Sequence, residues 1–328
     1  MYMKSSPKDI ISAILAALDR PKSIRQVAQE CGINWESARK YMQVLAEAGV
    51  LEERQGGKAR VFVRKDVPRD PENFFGLPLD KKMKEEIDAL YGAIERAWMK
   101  KHGSKPGRVQ VQKLLRKLDR QFNLELPMGW YLYGLLCVRP YDPGREYSGK
   151  VSREIERAIW LLIEEIGTDA YSAMRRQYAE EGKELYIKTL ELRRLLLGGS
   201  RKEVEPKMYE WLKYLPKMDT ESNNLVNEWV GSVTDVFRLS DPEELKTLRS
   251  EFIGVFEDIW KLVALFNFQN DMRRFYGEMA ERYLAPSIAL QKFYATESLK
   301  HLVEITPEET LSEKEKEFIR KIRAFSPQ

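Results

Sequence analysis

Apolar residues recur at helical spacing from the start of the chain. Ile10, Ile11, Ile14, Leu15 and Leu18 share one face, with Ser6 as N-cap and Pro7 at the first helical position, so the pattern predicts a helix ending near Asp19. Ser23 caps a second helix, which carries Ile24, Val27, Ala28 and Cys31 on one side before Gly32 supplies a left-handed stop. Asn34 caps a third, running from Trp35 to about Ala48 and closed by Gly49. Its inward positions are Ala38, Tyr41 or Met42, and Leu45. After Gly49 the period drops to two: Val50 and Leu51 enter a charged strand, Gln55-Gly56-Gly57-Lys58 makes a tight turn, and 59–63 returns.

Beyond residue 65 the character changes. Residues 66–80, DVPRDPENFFGLPLD, hold three prolines and read as a linker, with Phe74 and Phe75 available to dock it. From there the periodicity is helical almost throughout, over 79–101, 108–122, 152–166, 168–197, 202–215, 220–237, 242–283, 287–303 and 313–325. The expected architecture is mainly α: a small head over 1–65, the linker, and a large helical body over 81–328, with a sub-boundary near 141–151. The interruption is LELPMGWYLYGLLCVRPYDPGREYSG at 124–149, rich in Gly, Pro and aromatics. It reads as a short hairpin bordering a ligand pocket or as an aromatic plug between helical layers, and the plug is favoured. Trp160, Trp211, Trp229 and Trp260 fall at apolar helical positions and are assigned to the core.

Composition changes this picture little, but charge sharpens it. A 43% hydrophobic, 32% charged chain is that of a globular protein. The apolar run 252–268 is short for a membrane span and carries Glu257, Asp258 and Lys261; with no visible signal peptide, the expected location is cytoplasmic and no membrane partner is expected. Two cysteines and two histidines leave no disulfide framework and no dedicated metal site, and no cofactor is implied. The net charge of +4 is unevenly spread: residues 1–65 contain 12 Lys and Arg against 7 Asp and Glu, or +5, and the remainder 43 against 44, or −1. A basic head on a neutral body is the asymmetry of a module that approaches phosphates.

The run GINWESARKYMQVLAEAGVL resembles the turn and third helix of winged helix-turn-helix regulators of the ArsR and MarR kind, particularly archaeal ones. The resemblance covers residues 7–65. It implies that the third helix lies in the major groove of double-stranded DNA, presenting Trp35, Glu36, Arg39, Lys40 and Gln43, while the hairpin is a wing whose Arg54, Lys58, Arg60 and Arg64 reach phosphates or the minor groove. Trp35 and Glu36 stand where many relatives carry small polar residues, so base preference does not transfer. No metal-sensing cysteine pair accompanies the helix.

A second cationic stretch spans 100–120, with eight Lys or Arg against Asp119 alone. Lys100, Lys101, Lys105, Arg108, Lys113, Arg116 and Lys117 form either a second nucleic-acid surface or, as favoured, a face paired with acids elsewhere. The adjacent acids Glu164-Glu165 and Glu180-Glu181 diverge around a helix and read as solvated. Walker, GxGxxG, HExxH and GxSxG motifs are absent, and an enzyme is not expected. The resulting expectation is a sequence-specific DNA-binding protein and transcriptional regulator, a homodimer whose body serves oligomerisation, sensing of a small-molecule or protein effector, or partner binding. The alternatives are a replication, partition or mobile-element factor that also uses 100–120, and a protein-interaction scaffold.

Overall fold

The computed structural model describes residues 7–18, 20–47, 50–56, 59–64, 74–239 and 242–305. These are mainly helical, with paired strands in two antiparallel hairpins. Among them no helix is long and apolar enough to cross a membrane.

The chain begins with α1 (Pro7–Ala17), α2 (Ile24–Cys31) and α3 (Trp35–Glu47). Local chemistry sets their ends. Ser23 and Gln26 cap α2 reciprocally, the Ser23 N–H donating to Gln26 Oε1 at 2.9 Å, and Gly32 stops it at φ 63°. Asn34 Oδ1 accepts from the Ser37 N–H at 2.6 Å and starts α3. Ala38, Tyr41, Met42 and Leu45 all turn inward, where they meet Ile11, Ile14, Leu18, Val27, Leu51 and Phe62 in a small core. Strands β1 (Leu51–Gly56) and β2 (Ala59–Arg64) pair antiparallel with Leu51 opposite Arg64. The segment between α1 and α2 adds to this hairpin, because Lys22 and Phe62 exchange both backbone hydrogen bonds, at 3.0 and 2.8 Å. Ser6, Asp19, Ala48, Gly49, the turn residues Gly57 and Lys58, and the expected helix at 313–325 lie outside the described residues.

The rest of the chain forms a larger core. A 3-10 turn at Phe74–Gly76 precedes α4 (Lys81–His102) and α5 (Arg108–Phe122). Phe75 packs its ring 5.6 Å from Tyr131 and 5.7 Å from Phe268, fixing the end of the preceding segment on the body. Strands β3 (Met128–Tyr131) and β4 (Gly134–Cys137) form the second hairpin. Then follow α6 (Arg153–Ile166), α7 (Ala170–Glu180), α8 (Glu184–Gly198), α9 (Arg201–Leu212), α10 (Thr220–Leu239), α11 (Pro242–Tyr276) and α12 (Met279–Ile305).

Three expectations need correction. The single helix over 168–197 is divided at Gly182, whose φ of 61° separates α7 from α8. The break expected between 283 and 287 falls instead at Gly277 with φ 55°, and Pro286 is carried inside α12. A left-handed residue ends the hydrogen-bond ladder outright, whereas a proline removes one bond and can be absorbed as a bend. Trp211, Trp229 and Trp260 are buried, but Trp160 is 36% exposed, its ring under the Lys100 ammonium at 5.6 Å.

Helix α11 is apolar around much of its circumference and organises the body. Gly129 of β3 lies so close to it that a Cβ would stand 2.7 Å from the Phe268 ring. The Trp130 N–H donates to Asp271 at 2.7 Å, and Asn267 Nδ2 donates to the Trp130 carbonyl at 3.1 Å. On another side, Ser298 Oγ and Gln291 Nε2 of α12 donate to the Asp258 carboxylate and carbonyl at 2.7 and 3.0 Å. Helix α12 in turn reaches the small core, placing Leu290, Phe293 and Tyr294 against it.

Candidate nucleic-acid interface

Helix α3 follows the tight Gly32–Asn34 turn and has one face in the small core, which leaves Trp35, Glu36, Arg39, Lys40 and Gln43 on the outside. Trp35 is 48% exposed, an unusual setting for a tryptophan, and the Arg39 guanidinium lies over its ring at 5.5 Å. Beside them, the hairpin carries alternating charges. Arg54 makes a two-pronged pair with Glu52 at 2.9 and 3.0 Å, and Arg60 meets Glu53 at 3.1 Å. Arg64 is exposed at the end of β2. These hairpin pairs are solvent-facing and weakly held, so each yields readily to a phosphate.

Lys40 has a different setting. Its ammonium pairs with Glu297 of α12 at 3.1 Å, and the adjacent Tyr41 ring meets Phe293 edge-on at 5.6 Å. Burial raises the Glu297 carboxyl, but Lys300 at 2.8 Å and Lys40 outweigh it, so the group is held below the usual carboxylate range. Burial, with a smaller contribution from Glu297, pushes the Tyr41 phenol up to about 12. One flank of the candidate groove-facing helix is thus tied to the body. The sequence carries no signal for this contact, since its partners are 257 residues apart.

The cations at 100–120 are mostly committed within the body. Lys101 pairs with Glu164 at 2.6 Å and Lys105 with Glu95 at 2.7 Å. Arg116 grips Glu181 with two bonds, at 3.0 and 3.1 Å, and reaches Asp119 at 3.3 Å. Lys117 meets Glu165 at 2.7 Å and Glu180 at 3.7 Å. The four acids expected to be merely solvated are therefore the partners that α6, the end of α7 and the turn after it present to α4 and α5, and Glu181 is only 9% exposed. Lys100 lies over Trp160, Arg108 is exposed at the start of α5, and Lys113 is buried. The seven cations do not share one open face.

Compared with protein-family models, with curated proteins and with solved structures, the chain matches none.

Proposed function

We propose that residues 1–65 are a winged helix-turn-helix module that binds double-stranded DNA, with α3 in the major groove and the β1–β2 wing on the flanking backbone. The observation carrying this reading is the exposed face of α3, where Trp35, Glu36, Arg39 and Gln43 project beside a hairpin bearing Arg54, Arg60 and Arg64. The Lys22–Phe62 bridge supports it by fixing that hairpin to the helical triad. Glu36 accepts best from a cytosine amino group and is repelled by phosphates, so its place on the same face favours base reading over backbone gripping.

In this reading the chain is a transcriptional regulator acting as a homodimer, because two heads on adjacent half-sites multiply the discrimination of one small module. The internal pairing of residues 100–120 favours a single DNA surface over two. A gel shift on a random duplex pool tests the proposal: salt-sensitive retardation of the wild type and its loss in Arg39→Glu are expected, and no shift at low salt contradicts it. A second reading is favoured by the pairing inside the wing, where Arg54 and Arg60 are each matched by an acid. The head then binds a protein, and its association is insensitive to salt.

A further inference from the structure

A cleft of about 550 Å³ opens on the body between the start of α5, the β3–β4 hairpin and the loop after β4. Small-molecule sites span roughly 300–1,000 Å³. Four tyrosines line its walls, Tyr131 and Tyr133 of the hairpin and Tyr141 and Tyr147 of the loop. Tyr133 stands at the hairpin tip, 57% exposed beside the opening. The frame is fixed from several sides. Gln112 accepts from the Cys137 N–H at 2.8 Å, Asp271 holds Trp130, and in the loop the Asp142 N–H donates to Tyr147 Oη at 2.7 Å. The cleft is therefore preformed.

Its charge is unbalanced. Lys113 lines the wall at 5% exposure, and its ammonium donates to Gln177 Oε1 at 2.8 Å, a neutral acceptor. An ammonium has three N–H donors, and among the described residues the others on Lys113 have no acceptor. Nearby acids are engaged elsewhere, Glu181 by Arg116 and both Glu165 and Glu180 by Lys117. Arg108 also lines the cleft, together with the acid Asp142 and with Arg145, which is paired to Asp88 at 3.9 Å. Arg108 begins α5, where Gly107 at the N-cap offers no side-chain acceptor to the free N–H groups of the first turn.

We propose that this cleft binds a small molecule with a planar apolar body and one anionic group, a carboxylate or a phosphate monoester, the body lying against Tyr133 and its neighbouring tyrosines and the charge meeting Lys113 and Arg108. The cleft lies wholly in the body, so its occupancy is measured without reference to DNA.

Burial, opposed by Glu180 and Glu181 and helped slightly by Lys117, holds the Lys113 ammonium down to about 8. The other charged groups around it are Arg116 and Arg120 on its own helix, Glu165 on α6, Arg176 on α7, and Arg108, Arg145 and Asp142 at the cleft. Anion affinity is therefore greatest below that value and falls as pH rises through it.

The test titrates the full chain with three probes that share one ring system: 2-naphthoate, 2-naphthyl phosphate and the neutral 2-naphthamide. At least one anion is expected to bind about tenfold or more tighter than the amide, and the tighter of the two identifies the head group. Lys113→Met reduces anion binding to the level of the amide and leaves the amide unchanged, whereas Tyr133→Ala, at an exposed tip, weakens all three. Failure of both anions to bind at about 1 mM, equal affinity for anion and amide, or unchanged anion affinity in Tyr133→Ala overturns the proposal, the last even if Lys113→Met does not fold.

Discussion

At Lys113 the chain places an ammonium where one neutral acceptor reaches it, and this arrangement has a consequence for stability that is separate from binding. Its pKa is about 8 in the folded protein and near the ordinary lysine value of 10.5 in the unfolded chain. Below about pH 8 both states are protonated and the cost of burying the charge is fully present. Between the two values only the unfolded chain retains the proton, so stability rises with pH across that window. Lys113→Met is expected to stabilise the protein by about 1–3 kcal/mol near pH 7 in urea denaturation. The gain shrinks as pH approaches 10.5; a loss of stability near pH 7 instead marks Lys113 as a structural residue. Arg116 predicts the opposite sign. Its removal leaves Glu181 and Asp119, each 9% exposed, without their shared cation. Arg116→Ala should cost about 2–4 kcal/mol in the same measurement.

At the scale of elements, the contact of α12 with α3 is the one that links the body to the candidate DNA-binding face. Glu297 draws Lys40 toward the body, and this competes with phosphate for the same ammonium. Under the DNA reading, Glu297→Gln strengthens duplex binding about threefold to tenfold and steepens the salt dependence by about one counterion, read from affinities across a salt series. An unchanged affinity places Lys40 away from the DNA. How far such elements can be read from sequence depends on the range of the interactions that set them. The boundaries of α2 and α5 and the inward face of α3 follow from Ser23, Gln26, Gly32 and the apolar spacing, all local. The breaks at Gly182 and Gly277 were not legible, because each glycine lies in a continuous apolar period and only the packing of neighbouring helices makes a turn there. Charge was legible in part: pairing of the eight cations in 21 residues with acids elsewhere is the favoured reading of the sequence, but the partners themselves, Glu164, Glu165, Glu180 and Glu181, read as solvated because only the packing of the following helices brings them near. The 124–149 segment combines the two readings open to it, since Trp130, Leu135 and Cys137 are core while Tyr131 and Tyr133 border a cleft.

Across the whole molecule, α11 holds the cleft-forming hairpin on one side and α12 on another, and α12 carries Glu297 to α3. The hairpin is thus joined to the candidate DNA-binding helix through α11 and α12 in turn, and under the DNA reading a ligand couples to DNA affinity only if it binds differently to two arrangements of those contacts. The central claim remains that the head reads duplex DNA. It is tested most directly by measuring the affinity of the full chain for a random duplex pool across a salt series from about 50 to 200 mM, with Arg39→Glu as the paired variant. Affinity that falls linearly on logarithmic axes for the wild type and is lost in the variant is the predicted result. Absence of binding at the lowest salt, or binding that neither salt nor Arg39→Glu alters, contradicts it.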